Sequence, residues 1–222
     1  MEPKIVREFY LLSLNPKNGY YFTYGNEFGY GILGGILMDL YREGLITFQN
    51  KKLVVVNPAA TNYSIFDRPL EIVNRKGSIR VATLLGRMGI HRLFYKKEAI
   101  RLFMVNNDLI QIKKKFLGIP YNRYYPKDRD FKLSIVRRMR DLLLRNEHPT
   151  NDELLLLILI HSCRSYRALS AYREERKRMR LNMKQLLKNG SDYTQHFDQI
   201  KELSAGIRKA IMAANASRTA AT

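Results

Sequence analysis

The sequence predicts a mainly α fold: a compact single-domain helical bundle carrying one short β-hairpin and one longer, protruding β-hairpin. Three observations predict it. Apolar residues recur at helical spacing through most of the chain. Only two places show paired strand-like runs around a polar or glycine-containing turn. The length of 222 residues suits one core, and 45% hydrophobic residues is ordinary for a globular protein, which excludes a fibrous or disordered class. One domain is expected over 1–222, ordered over 5–214 and frayed over 215–222.

Residues 5–14 (IVREFYLLSL) have apolar residues at helical spacing and stop at the turn signal Asn15-Pro16. Residues 20–24 read as extended. Residues 31–43 (GILGGILMDLYRE) read as a buried helix closed by Gly44, a residue that accepts a left-handed cap. Residues 45–48 and 53–56 flank the polar turn 49–52 as the short hairpin, which ends at Asn57-Pro58. Helices are expected over 64–74, over 78–87 behind an N-cap at Ser78, and over 92–105, with Leu93, Ile100, Phe103 and Met104 on one face. The stretch 109–125 (LIQIKKKFLGIPYNRYY) is strand-like at both ends around Gly118 and Pro120 and reads as the longer hairpin. Helices over 131–145, 152–169, 171–187 and 193–214 complete the bundle. The longest aliphatic run, 154–160 (LLLLILI), has 7 residues. A membrane span needs about 20, so this is a buried helix and membrane contact is expected to be peripheral.

The charge is less ordinary. Thirty-nine Lys and Arg face 20 Asp and Glu, a net charge of +19, which favours a polyanionic partner such as nucleic acid or an acidic lipid surface. Residues 1–58 are almost neutral, whereas 75–101 carry 8 basic residues against Glu98 alone and 113–145 carry 11 against 3 acidic ones. A third cluster, 164–188, has 9 basic residues against Glu174 and Glu175. Surfaces built only for solubility mix both signs, so the sum points to binding. The lone cysteine, Cys163, forms no intrachain disulfide, and the start MEPKIVREFY lacks a long apolar signal region. A cytoplasmic, peripherally membrane-associated protein is expected.

No motif carries catalytic chemistry. Residues 29–34 spell G-x-G-x-x-G, but the next strand ends in Asn57-Pro58 with no carboxylate for a ribose, so close helix packing explains the glycines better. His91, His148, His161 and His196 show no metal-ligand spacing, and no metal or cofactor is expected. His161 and Cys163 are two apart on a helix and do not face each other. Asp67, Glu71, Asp152 and Glu153 suit helix starts and exposed faces rather than an acid–base pair.

What remains is basic and aromatic. Lys113, Lys114 and Lys115 run directly into Phe116, Leu117, Ile119 and Tyr121, followed by Arg123, Tyr124 and Tyr125. Such a hairpin can dip its apolar tip into a headgroup layer while lysines meet phosphates, or it can pair with a second copy.

The order GILGGILMDLYREG, LITF, LVVV, KKEAIRLFMVNNDLIQIKKKFLGIPYNRYYP, LLLLILIHSCRSY and a late AIMAA resembles the Golgi phosphoprotein 3 family over roughly residues 5–214. The resemblance implies a mainly helical domain with a protruding hairpin that binds phosphatidylinositol 4-phosphate through a shallow basic pocket. In eukaryotic members it also implies membrane-protein tails as clients. The family's membrane-touching tryptophan falls on Tyr24, its second pocket residue on Leu33, and its two helix arginines on Phe94 and Lys97. A helix starting almost at Met1, without a basic arm before it, looks more like the bacterial branch. The expected headgroup residues are therefore Tyr24, Arg92, Lys96, Lys97 and Arg101, with Lys113, Lys114, Lys115, Phe116, Leu117, Ile119 and Tyr121 as a membrane or oligomer hairpin. A winged-helix-like nucleic-acid binder, with 78–87 and 92–105 as the helix pair and 109–125 as the wing, is the second expectation. A homo-oligomer joined through the hairpin is the third.

Overall fold

Helix α2 (Gly25–Arg42) is the axis of the molecule, and every residue from Tyr30 to Leu40 is buried. The computed structural model describes residues 1–23, 25–58, 60–189, 194 and 196–219, with the side chain of residue 218 left aside. Around α2 pack α1 (Lys4–Ser13), α3 (Ser64–Lys76), α4 (Val81–Ile90), α5 (Arg92–Val105), α7 (Asn151–Ser162) and α9 (Phe197–Thr219). Helices α6 (Arg129–Leu144) and α8 (Arg173–Lys188) form an outer pair, with α6 against α1 and α8 against α6 and α7.

The glycines of α2 set how closely its neighbours approach. A Cβ on Gly31 would fall 2.3 Å from the Phe9 ring, and one on Gly35 would fall 2.8 Å from the Cα of Val6. Helix α1 therefore lies directly on the glycine side of α2, as expected for packing rather than for a dinucleotide loop. The helix also begins six residues before the expected position 31, because Asn26, Phe28 and Tyr30 already turn inward.

Two antiparallel hairpins complete the fold. Strands β1 (Ile46–Gln49) and β2 (Lys52–Val55) join through Asn50 and Lys51, both at positive φ. Strands β3 (Leu109–Phe116) and β4 (Ile119–Pro126) join through Leu117 and Gly118, at φ 49 and 78, the two-residue turn whose twist suits paired strands. At the base Leu109, Tyr125 and Pro126 are buried, whereas residues 110–120 are all exposed. The longer hairpin protrudes.

Four local expectations need correction. Helix α4 starts at Val81 without a Ser78 cap, because the backbone of Ile79 pairs with Leu53 and holds residues 78–80 extended beside β2. In α5 the buried face is Tyr95, Ala99, Leu102 and Phe103, while Leu93 is 70% exposed: the helix is wedged between α2 and α3, which select a different stripe. The helix expected over 152–169 breaks after Ser162, where Arg164 adopts a left-handed conformation (φ 53) before a 3-10 turn, Ser165–Ala168. Helix α9 starts at Phe197 rather than 193 and continues past 214 to Thr219; Tyr193 lies outside the described residues.

Candidate functional site

Helix α5 distributes its cations according to its packing. Because Tyr95, Ala99 and Phe103 face inward, Arg92 and Lys96 fall on the flank facing α2, and Lys97 and Arg101 on the outer surface. The ammonium of Lys96 sits 5.0 Å from the ring centroid of Tyr21 and 5.4 Å from that of Phe28. Those two rings are themselves 4.2 Å apart, and the Tyr21 hydroxyl is fixed 2.8 Å from that of Tyr10. Lys96 is thus half-buried over an aromatic floor, with no carboxylate partner among the described residues. Burial pulls its pKa below the ordinary lysine value. An anion arriving here would meet a partly desolvated cation and offset that penalty.

Arg92 lies one turn earlier, with Nη1 3.5 Å from Oδ1 of Asn26. Its side chain packs over Gly29 and borders an open cleft of about 580 Å³ with Gly25, Asn26, Ala214 and Ser217. The cleft therefore includes the first turn of α2, whose backbone dipole favours negative charge. Tyr24, the expected aromatic anchor, lies outside the described residues; Gly25, its chain neighbour, borders this cleft. Lys97 is exposed and has no partner among the described residues, whereas Arg101 is tied to Glu98 by hydrogen bonds of 2.9 and 3.1 Å to Oε2. Leu33 is fully buried in the core, and Phe94 is half-buried beneath the guanidinium of Arg68, 4.5 Å from its ring centre.

The hairpin reaches this helix through two consecutive tyrosines. Tyr21 lies under Lys96, while the guanidinium of Arg123 in β4 stacks 3.4 Å from the ring centre of Tyr20 and 5.0 Å from that of Tyr121. Gly19 (φ 66) makes room for this arrangement, since a Cβ there would meet the Tyr124 carbonyl and the Tyr125 ring at 3.0 Å. From that anchored base the hairpin carries Lys113, Lys114 and Lys115, all exposed, to a tip where Phe116, Leu117 and Ile119 are 68%, 87% and 68% exposed. No acidic residue occurs between 109 and 126, so the hairpin cations have no internal counter-charge.

Parts of the first two basic stretches therefore meet, α5 and the hairpin, while the rest of the second, on α6, packs against α8. The third lies mainly on α8, which packs on α6, α7 and the 3-10 turn. Sequence reasoning missed Tyr20, Tyr21 and Phe28, although the aromatic run 20–22 behind a turn was a visible signal.

Other candidate chemistry is structural. Cys163 is fully buried and its thiol is pushed far up by burial. His161 donates to or accepts from the Tyr166 hydroxyl at 2.7 Å, and burial, with the nearby cations Arg208, Lys184, Arg164 and Arg180, lowers its pKa to about 4. Glu153 belongs to a capping box with Thr150 and an ion pair with Arg138, and Asp152 pairs with Lys4. Among the described residues no group of three or more His, Cys, Asp or Glu converges to hold a metal ion, and no helix is long and apolar enough to cross a membrane.

The sequence model of a family described as Golgi phosphoprotein 3 (GPP34) matches residues 5–218. No individual curated protein matches the chain. Since the aligned span takes in α1 to α9, both hairpins and the Lys96 flank of α5, the chain belongs to the Golgi phosphoprotein 3 (GPP34) family.

Proposed function

We propose that this protein is a non-catalytic, cytoplasmic, peripheral binder of anionic phospholipid, and that the headgroup, by family resemblance phosphatidylinositol 4-phosphate, docks against the α2–α5 flank. The observation that carries this reading is Lys96, a half-buried ammonium resting on Tyr21 and Phe28 with no carboxylate partner among the described residues. Arg92 and Lys97 extend the positive surface on either side, while Arg101 contributes less because Glu98 neutralises it. Tyr24, which precedes Gly25 in the chain, is the proposed aromatic anchor. Lys113, Lys114 and Lys115 meet neighbouring acidic headgroups, each worth about 1 kcal/mol near an anionic surface, and Phe116, Leu117 and Ile119 enter the headgroup layer. Membrane-protein tails are the partner class that the family suggests for the docked state.

Liposome flotation tests the reading. Bound protein rises with acidic lipid content, and Lys96→Glu combined with Lys97→Glu lowers partitioning on the order of a thousandfold, since four units of charge change near the surface. Binding that ignores acidic lipid, or survives that reversal, contradicts it. Duplex DNA is the competing polyanion. A DNA-reading α5 would turn its cations outward, whereas Arg92 and Lys96 face α2 and Arg101 is paired, which favours lipid.

A further inference from the structure

A second basic cleft opens on the other flank of α5. Helices α3, α4 and α5 enclose about 540 Å³, within the usual size range of small-molecule sites, and border it with Arg68, Glu71, Arg75, Arg87, His91 and Tyr95. It shares no side chain with the Arg92–Lys96 flank, because successive positions 95 and 96 point about 100° apart around the helix.

Its chemistry is selective. Arg75 and Arg87 make no ion pair or hydrogen bond among the described residues, and Arg68 stacks on Phe94 and acts electrostatically on Tyr95. Three guanidiniums against the single carboxylate of Glu71 leave two positive charges facing the cleft, which matches a phosphomonoester dianion. Arginine forks suit phosphate oxygens bidentately. Tyr95 at the floor is 1% exposed as a residue, and its hydroxyl, which is not among the sealed polar atoms, has no hydrogen-bond partner among the described residues. Burial, partly offset by Arg68 and reinforced by Glu71, pushes the phenol up to about 12, so it stays a donor near neutral pH. Glu71 at the rim is placed to accept from a hydroxyl on the group that carries the phosphate.

We propose that the α3–α4–α5 cleft binds a phosphomonoester, with Arg68, Arg75 and Arg87 clamping the phosphate and the Tyr95 hydroxyl donating to it from below.

The test is isothermal titration of the full chain with inorganic phosphate and with glycerol 3-phosphate, alongside flotation with vesicles of phosphatidylcholine containing phosphatidic acid. Saturable binding is expected. Arg87→Gln should weaken it by about 10- to 100-fold and Tyr95→Phe by about tenfold, the cost of losing a hydrogen bond to a charged group. Tyr95→Phe removes no packing and no internal hydrogen bond, so its melting temperature without phosphate should be unchanged or raised, which a merely structural tyrosine would not show. Lys177→Glu, exposed on α8, should leave phosphate affinity within about twofold, since it lies off the cleft. Loss of glycerol 3-phosphate binding in the two cleft variants identifies a soluble ligand. Cleft-sensitive binding of the phosphatidic acid vesicles alone identifies a lipid source for the same group. No saturable binding of any probe, or equal binding by wild type, Arg87→Gln and Tyr95→Phe, overturns the proposal.

Discussion

Asp39 and Lys132 hold opposite ends of the same helix. Asp39, buried in α2, accepts from the backbone N–H groups of Ile5 and Val6 at 2.8 and 3.0 Å, and Lys132, buried in α6, donates to the carbonyls of Leu11, Leu12 and Leu14. Pro3 and Leu14, the residues flanking α1, supply no side-chain cap, so distant side chains satisfy its orphan groups and complement its dipole. This clamp fixes the chain leading into Tyr20 and Tyr21, and hence the floor under Lys96.

The clamp makes stability pH-dependent in two opposed windows. Burial raises the Asp39 carboxyl to about 7 and lowers the Lys132 ammonium to about 7. Between the ordinary carboxylate value and pH 7 the unfolded chain has released a proton that folded Asp39 keeps, so its contribution falls as pH rises. From pH 7 toward the ordinary lysine value the unfolded chain keeps a proton that folded Lys132 has released, so its contribution grows as pH rises. Urea unfolding at pH 5, 7 and 9 should show Asp39→Asn flattening the lower limb and Lys132→Met the upper, each by at most about 1.4 kcal/mol per pH unit. Parallel profiles for wild type and both variants would refute this.

On the proposed reading, the hairpin tip contributes to docking but little to folding. Replacing residues 113–121 by an Asn-Gly turn removes only exposed or half-buried side chains, so the melting temperature should shift by less than about 4 °C, the equivalent of about 1 kcal/mol or less. Light scattering of this variant separates the two roles of the tip. An unchanged mass with lost flotation assigns it to lipid, whereas a fall in mass from dimer to monomer assigns it to self-association.

Gly31→Leu should be among the most damaging single changes. The first added carbon would already fall 2.3 Å from Phe9, and no neighbouring element can withdraw without opening the α1–α2 contact. A loss of about 3 kcal/mol or more in chemical denaturation is expected, at the upper end of overpacking costs. A neutral Gly31→Leu would mean that α1 does not seat on α2 as described.

Cys163 should be inert in the folded protein. Full burial and a raised thiol pKa leave almost no thiolate for alkylation. Iodoacetamide labelling followed by mass spectrometry should track global unfolding; rapid labelling under native conditions would contradict this.

Much of this was legible in the sequence because it is local. The bounds of α5 matched the expected 92–105, and the second hairpin announced itself through strand-like ends around Gly118 and Pro120. Ser78 misled because a serine before an apolar run looks like a cap whether or not its neighbour is recruited by a strand, and Ile79 was recruited by Leu53. The site itself was half legible. Charge runs locate the cations, and even the Glu98–Arg101 pair follows from their spacing of three. The aromatic floor was not, because the contact between Tyr21 and Lys96 spans 75 positions and depends on α1 being gripped by Asp39 and Lys132. Nor was the α3–α4–α5 cleft, whose arginines look like ordinary solvated positions until the helices converge over Tyr95.

The most direct measurement places an environment-sensitive fluorophore on L117C, a specific label because Cys163 is buried. On adding vesicles rich in acidic phospholipid, its emission should shift to the blue as the tip enters the headgroup layer, and the combined Lys96→Glu and Lys97→Glu exchange should abolish that shift. Vesicle binding with the fluorophore still in water, or a blue shift that persists in the exchanged protein, would mean that hairpin and helix do not serve one surface.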